Sequence, residues 1–165
     1  MIASLRIHSL KGLLLGAFFF TPVLTHAATW RERFREFSAE VELLRPLEAC
    51  NAKSGEQLLQ FEKLGKPDGK RILVLSLIHG NELPAGVIGF RWIRRLHRLS
   101  PHNSWLVVPV LNPDGVKALT RTSDAHIDLN RHFPTKDWYT GAEAYWKKLG
   151  SQPQKFPGTV AGAEP

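Results

Sequence analysis

The feature that most constrains the fold is a nearly continuous apolar run, residues 72–78, which ends directly at His79-Gly80-Asn81-Glu82. Strands that are apolar at consecutive positions are typical of α/β sheets covered on both faces. A helical pattern follows over residues 84–99, and a second apolar strand over residues 105–111. This order of strand, helix and strand predicts a right-handed crossover between two parallel neighbours. We therefore expect the segments after the two strands to meet at the carboxyl edge of the sheet, where such folds bind ligands.

The residues before this run predict a helix, a linker and a hairpin. Residues 28–57 are interpreted as a linker preceded by an amphipathic helix that ends near Pro46, because apolar residues recur at helical spacing: Trp30, Phe34, Phe37, Val41 and Leu44. Residues 58–64 are predicted to form a strand that pairs with residues 71–78 across the turn at 65–69.

The two faces of the helix 84–99 and the turn residues after it give the remaining predictions. On the helix 84–99, the stripe Ile88, Trp92, Leu96 and Leu99 is predicted to face the core, with a solvated face opposite it that contains Arg91, Arg94, Arg95 and Arg98. No nucleic-acid motif accompanies these arginines, so we expect no nucleic-acid partner. Asn112-Pro113-Asp114-Gly115 predicts a turn. The chain after Thr122 is rich in Pro and Gly and is predicted to be irregular.

The first 27 residues have the pattern of a secretory signal peptide. Arg6 and Lys11 precede or begin an apolar run over residues 12–24, and Thr25-His26-Ala27 resembles a cleavage site. The run is shorter than the ~20 residues of a membrane span and contains Pro22, so no stable membrane anchor is expected. We predict cleavage after Ala27 and a periplasmic or secreted protein.

Composition and charge are those of one globular domain, with 43% hydrophobic and 22% charged residues. The formal net charge of +7 falls by two, to +5, when residues 1–27 are removed with Arg6 and Lys11. A basic exported protein could approach an anionic polymer such as peptidoglycan. Cys50 is the single cysteine, so no intramolecular disulfide can form, and a zinc site here must use His and carboxylates.

His79 and Glu82 lie three residues apart where the buried strand gives way to a helix. Zinc accepts His nitrogen and Glu oxygen, and catalytic sites commonly hold it with three protein ligands and a water. Gly80 permits a tight backbone turn between the two. By itself this pair is also compatible with a surface His near the start of a helix.

Three further motifs follow in order: Leu111-Asn112-Pro113-Asp114-Gly115, Thr120-Arg121 and Asp128-Leu129-Asn130-Arg131-His132-Phe133-Pro134. Together with His79-Gly80-Asn81-Glu82 they resemble the M14 zinc carboxypeptidases, most of all the bacterial branch acting on murein peptides. The resemblance runs from about Leu58 to Pro165 and includes Ala161-Gly162-Ala163-Glu164-Pro165, similar to the family's Ser-Glu-Pro-Glu segment. It implies that residues 58–165 are the N-terminal part of a catalytic domain with a mixed, largely parallel sheet and helices on both faces.

The resemblance implies specific roles. His79 and Glu82 would be ligands of one Zn²⁺ ion, and Arg121 would polarise the scissile carbonyl. Asn130 and Arg131 would hold the terminal carboxylate of a peptide substrate, which an Arg grips through two charge-assisted hydrogen bonds. Asp128 is expected to orient His79 or the ligand loop, because metal-bound imidazoles usually donate their other N–H to an acceptor. His132 is expected to be structural.

The family's third zinc ligand, a His, and its general-base Glu have no motif match in this chain. His97, His102 and His126 lack a matching context. Because two ligands hold zinc weakly and no base takes the proton from water, we expect the chain as printed to be an inactive, truncated piece of an enzyme.

The leading interpretation is hydrolysis of an amide bond next to a free carboxylate in a peptidoglycan stem peptide. One alternative is a deacylase of the related aspartoacylase and succinylglutamate desuccinylase branch, which also has His-Gly-Asn-Glu and Asp-Leu-Asn-Arg. Asn112-Pro113-Asp114-Gly115 and the signal-peptide pattern argue against this alternative. Another is a non-catalytic cell-wall binding module that uses Asn130 and Arg131 to hold carboxylates.

Overall fold

The computed structural model describes residues 27–158. The predicted signal peptide, apart from Ala27, and the closing segment 159–165 lie outside the described residues. Among the helices of residues 27–158, none has both the length and the apolar character that crossing a membrane requires.

The sheet contains four strands in the described part of the chain: β1 (Arg45–Asn51), β2 (Gln57–Lys63), β3 (Arg71–Leu75) and β4 (Ser104–Val108). Their order is β1-β2-β4-β3. Strand β4 pairs in parallel with β3, with Leu73 opposite Leu106, and antiparallel with β2, with Phe61 opposite Val107. The strands before and after the helix Leu83–Arg98, β3 and β4, are parallel neighbours, as predicted.

The predicted hairpin between the second and third strands is wrong, because β4 lies between β2 and β3. The intervening segment packs on another loop: Lys66 N–H donates to His102 O at 2.8 Å. A Cβ atom added at Gly69 would lie 2.0 Å from the same carbonyl oxygen, so this close approach excludes other side chains. Gly65 and Gly69 therefore let the connection between β2 and β3 pack against the loop before β4, and they do not close a hairpin.

Strand pairing and burial also differ from expectation. Two of the three pairings in the described sheet are antiparallel, so the sheet is mixed and only β3–β4 is parallel. Strand β3 is not covered on both faces by residues 27–158, since Leu73 remains 59% exposed. The α/β fold class, with a mixed sheet and helices, is confirmed.

The helices are α1 (Trp30–Arg33), α2 (Ser38–Val41), α3 (Leu83–Arg98), α4 (Pro113–Ala118) and α5 (Trp138–Lys148). Single 3₁₀ turns occur at Arg35–Phe37, Leu129–Arg131 and Pro153–Lys155. Helix α3 confirms the helix predicted at 84–99. The helix predicted over residues 30–44 is instead two short helices joined by a 3₁₀ turn. Part of the predicted linker is strand β1, and its place at the edge of the described sheet accommodates Pro46. Helix α5 was not predicted.

The core centres on Phe90 of α3. The rings of Trp30, Phe34 and Phe37 lie with centroids 6.3, 5.3 and 5.3 Å from the Phe90 ring. The predicted core stripe of α3 is therefore wrong except at Leu96, because the buried residues are Gly86, Gly89, Phe90, Ile93 and Leu96. A Cβ at Gly86 would lie 2.5 Å from the Phe34 ring, so glycine lets the N-terminal aromatics approach the helix.

A partly buried ion pair connects the N-terminal segment to α3. Arg94 donates from Nε to Glu40 Oε1 at 2.6 Å and from Nη2 to Glu40 Oε2 at 3.1 Å. The hydrogen bonds from Arg94 hold the pKa of the Glu40 carboxyl below its ordinary value, against the opposing effect of burial. The pair fixes α2 against α3 at the rim of the aromatic core.

Candidate active site

The segment between β3 and α3 forms the carboxyl edge of the parallel pair, as predicted. Leu111 N–H donates to Ser76 O at 3.0 Å, and Asn112 N–H donates to Leu77 O at 3.1 Å, so the two strand ends stay together beyond the sheet. Leu77 is buried and has a φ of 49°, in the left-handed region that non-glycine residues rarely occupy. This strained position turns the chain immediately before His79, as often happens at functional sites.

Gly80 and Asn112 fix the turn that carries His79. A Cβ atom at Gly80 would lie 1.9 Å from the backbone carbon of Gly115, so the reason for glycine is close approach to α4. Buried Asn112 donates from Nδ2 to Ile78 O at 3.2 Å and accepts from Gly115 N–H at 2.8 Å. Asn112 is thus the N-cap of α4, and the predicted turn at 112–115 is wrong because Pro113 begins a helix.

The His79 ring is held between two carboxylates. Its Nδ1 lies 3.0 Å from Glu82 Oε1, and its Nε2 lies 3.0 Å from Asp128 Oδ1. The His79 side chain is 7% exposed and that of Asp128 is fully buried, whereas Glu82 is 55% exposed. The ring is therefore fixed from the protein side by Asp128 and faces the open side through Nδ1.

Asp128 collects partners from three segments. Its Oδ1 accepts from His79 and from Asn130 N–H at 3.1 Å, and its Oδ2 accepts from Arg121 Nε and Nη2 at 3.1 and 3.0 Å. The third nitrogen of Arg121, Nη1, lies 3.7 Å from Glu82 Oε1. Arg121 thus neutralises a buried carboxylate with two donors and turns the third toward Glu82.

The structure brings together His79, Glu82 and Arg121, and it places Asn130 and Arg131 in a neighbouring groove. That groove is lined by the 3₁₀ turn of residues 129–131 and by α5. The link between the two parts is the backbone of Asn130, which is bound to Asp128. The Nδ1 of His132 lies 2.7 Å from Pro157 O, so this nitrogen is used within the protein and not at either part of the site.

The donor chemistry fits part of a zinc site. A neutral imidazole has one N–H, so when Asp128 receives it from Nε2, the Nδ1 lone pair faces the Glu82 carboxylate and a cation between them is favourable. Their 3.0 Å separation is that of a hydrogen bond and lies a few tenths of an ångström below the roughly 3.4 Å between two tetrahedral ligands that are each about 2.1 Å from one zinc ion. Residues 27–158 contain no group of three His, Cys, Asp or Glu side chains able to hold a metal ion.

Sequence reasoning missed two contributors. The first is Asn112, which precedes a proline and so resembled a turn residue. Only its hydrogen bond to Ile78 O shows that this helix cap also holds the turn that carries His79. Helix α5 was hidden by the surrounding Pro and Gly residues and by its weakly periodic apolar positions, although it forms one side of the groove at Arg131.

A family model described as the succinylglutamate desuccinylase/aspartoacylase catalytic domain matches residues 68–152. The chain belongs to this family. The matched segment includes His79, Glu82, Arg121, Asn130 and Arg131. This family was the alternative of the sequence analysis, whereas the murein branch was its leading interpretation. No curated protein sequence matches the chain.

The fold of this family member is similar to that of solved carboxypeptidase-type structures. Bovine thrombin-activatable fibrinolysis inhibitor, in complex with tick carboxypeptidase inhibitor, matches with a TM-score of 0.61 and 15% identity over 84% of this chain and 52% of that chain. Carboxypeptidase A from Helicoverpa armigera matches with a TM-score of 0.57 and 19% identity over 84% of this chain and 40% of that chain. The chain thus spans about half or less of these proteins. The family match supports a hydrolase, and the described residues have the fold of these carboxypeptidase structures.

Proposed function

We propose that the protein is a zinc-dependent metallocarboxypeptidase that hydrolyses an amide bond next to a free carboxylate, in peptidoglycan stem peptides outside the cytoplasm. The observation that carries the proposal is the His79 ring, which Asp128 holds at Nε2 while Nδ1 lies 3.0 Å from Glu82. Zinc with an open position activates a water molecule and polarises a carbonyl. The proposal requires a third ligand and a general base from outside residues 27–158.

The residues around His79 have distinct tasks in this proposal. Arg121 is kept in place by two hydrogen bonds to Asp128, and its Nη1 remains on the Glu82 side. A guanidinium fixed in advance at this position stabilises negative charge that develops on the carbonyl oxygen. Asn130 and Arg131 bind the free carboxylate, and the bond from Asn130 N–H to Asp128 fixes their position relative to His79.

Two features support a peptidoglycan substrate. The chain is basic, with a formal net charge of +7, which favours approach to an anionic polymer. The pattern of residues 1–27 predicts export. N-terminal sequencing of the native protein should begin at Ala28, and a start within residues 1–27 would contradict export by this route.

A second candidate is deacylation of N-acyl amino acids, which the family match over residues 68–152 favours. Both reactions cleave an amide bond beside a carboxylate, so the same His79, Arg121 and Arg131 would serve either one. The two candidates differ in what lies on the other side of the scissile bond, a peptide or a small acyl group.

The test is hydrolysis by the full-length enzyme of murein tripeptides and of N-acyl amino acids, with and without a chelator. Faster, chelator-sensitive cleavage of the tripeptide supports the peptidase. Cleavage of N-acyl amino acids alone would replace it with the deacylase. Absence of chelator-sensitive hydrolysis of either substrate would contradict both.

A further inference from the structure

The outer face of α3 carries a row of exposed arginines. They are three and four residues apart, so their side chains lie next to one another along the second half of the helix: Arg91, Arg94, Arg95 and Arg98. These four residues, the arginine face, line a cleft of about 420 Å³ together with Leu99. Like charges at these spacings repel one another and destabilise a helix, so the arrangement favours an anionic partner.

Carboxylates of the protein neutralise the arginine face only in part. Glu40 forms an ion pair with Arg94, and Glu36 interacts with the same arginine at longer range. Glu40 also interacts with Arg98 without pairing with it. The other two arginines have no ion pair within residues 27–158. Four positive charges therefore face two negative ones, and the face keeps an excess of positive charge.

Apolar side chains lie beside the arginine face and remain partly exposed. Trp92 and Leu99 are 42% and 45% exposed, and they line a groove of about 490 Å³ with Trp105 of β4. The Trp92 and Trp105 rings meet edge-on with centroids 5.2 Å apart, so the sheet fixes the position of Trp92. Arg91 and Arg95 line both this groove and the cleft of the arginine face. The guanidinium groups and the apolar side chains thus form one continuous surface.

We propose that this surface docks the protein on an anionic phospholipid bilayer. A guanidinium binds phosphate through paired, charge-assisted hydrogen bonds, so the arginine face fits a layer of phospholipid headgroups. Trp92 and Leu99 enter the boundary between headgroups and acyl chains, where tryptophan is favoured. A soluble polyanion fits the arginines alone and leaves both apolar side chains in water. The exposed tryptophan and leucine beside the arginines therefore favour a bilayer as the partner.

Docking through this surface leaves the candidate active site free. Helix α3 begins next to Glu82, and its 16 residues span about 24 Å. The arginine face occupies the half of the helix that is distant from Glu82. The bilayer is therefore bound at one end of α3 while His79 and Glu82 lie at the other, and the inference does not depend on which amide bond the site cleaves.

The experiment is flotation of the full-length protein with vesicles of phosphatidylcholine alone and with vesicles that also contain phosphatidylglycerol. We expect binding to the anionic vesicles only, and weaker binding at high salt, because salt screens the attraction. The double variant Arg91→Gln/Arg95→Gln should bind the anionic vesicles about tenfold or more weakly, since two headgroup contacts are lost. Both side chains are exposed, so this variant keeps the core of the protein intact.

Two further variants separate the contributions of charge and apolar contact. Trp92→Ala should bind the anionic vesicles about threefold or more weakly and keep the salt dependence of the wild type. The double variant Lys136→Gln/Lys148→Gln removes the same charge from exposed positions outside the arginine face, and it should bind within about twofold of the wild type.

Equal binding to the two kinds of vesicle would overturn the inference, as would no binding to either or equal losses in the arginine variant and its lysine control. Soluble polyphosphate and a single-stranded oligonucleotide are tested as competitors. If either one binds more tightly than the vesicles and Trp92→Ala has no effect on vesicle binding, the face binds a polyanion and the bilayer is excluded. Hydrolysis of a soluble substrate should be unchanged in Arg91→Gln/Arg95→Gln, so a failure of the proposed function is recognised separately.

Discussion

Two buried carboxylates, Asp128 and Glu40, each bind an arginine, but they serve different regions of the molecule. Glu40 is 6% exposed and accepts two hydrogen bonds from Arg94, which join α2 to α3 beside the aromatic core. Asp128 is fully buried and divides its oxygens among His79, Arg121 and the backbone of Asn130. A buried carboxylate paired with an arginine therefore does not by itself indicate a site. What distinguishes Asp128 is that its partners are functional candidates from three segments.

The largest effect is expected at Arg131. Unlike Arg94 and Arg121, it has no ion pair with a carboxylate within residues 27–158. Arg131→Ala in the full-length enzyme should lower kcat/KM roughly 30- to 1,000-fold, because a charge-assisted contact to the substrate is lost. This corresponds to about 2 to 4 kcal/mol of transition-state stabilisation. Zinc content should not change. Steady-state kinetics on a substrate with a free carboxylate is the measurement, and an unchanged kcat/KM would rule out the clamp.

Asp128→Asn should weaken zinc binding roughly 10- to 100-fold, because the carboxylate that orients His79 and increases its basicity is lost. The matched change Glu40→Gln should leave zinc affinity at the wild-type value. Competition titration with a chelator of known affinity measures both variants. Equal zinc affinities for the Asp128 variant and the wild type would remove the difference between the two carboxylates.

Glu40→Gln should instead reduce the free energy of unfolding, by about 1 kcal/mol, since the partner Arg94 is half exposed and solvent screens much of the interaction. Glu42→Gln, at an exposed position two residues away, is the control and should have little effect. Denaturant titration monitored by tryptophan fluorescence is suitable. A loss no greater than that of the control would show that the Glu40–Arg94 pair is not stabilising.

The smallest effect concerns pH. The pKa of Glu40 is lowered in the folded protein by the hydrogen bonds from Arg94, so its contribution to stability is present above the unfolded pKa and is lost as pH falls through the folded pKa. The stability difference between wild type and Glu40→Gln should therefore shrink as the solution is acidified from pH 6 toward the acid range below about pH 4. A difference that stays constant or grows on acidification would contradict this assignment.

The parts that followed from sequence are those in which local pattern and tertiary role agree. The apolar runs of β3 and β4 and the length of α3 predicted the parallel pair and its polar edge, which placed His79 and Glu82 correctly. The buried face of α3 could not be predicted, because Gly86 and Gly89 contribute room for Phe34 and Ser76 rather than apolar side chains. Strand order also required contacts between distant residues, since the loop at Lys66 binds His102 instead of closing a hairpin.

The site shows the same division. His79 and Glu82 follow the end of β3, and Arg121, which follows α4, meets them through its contacts with Asp128 and Glu82. The contact of Asp128 with His79 spans 49 residues, and it was anticipated only from the general habit of metal-bound imidazoles to donate to an acceptor. The position of α5 beside Arg131 could not be anticipated. Trp138 of this helix donates a hydrogen bond to the backbone oxygen of Arg131, and such a bond leaves no pattern in the sequence.

The central claim is that His79 Nδ1 and Glu82 form part of a zinc site that Asp128 orients, and zinc titration of the full-length protein tests it most directly. The wild-type protein should bind one zinc ion per chain, His79→Gln should abolish tight binding, and His97→Gln, on the exposed side of α3, should bind as the wild type does. Retention of wild-type zinc affinity by His79→Gln would contradict the account.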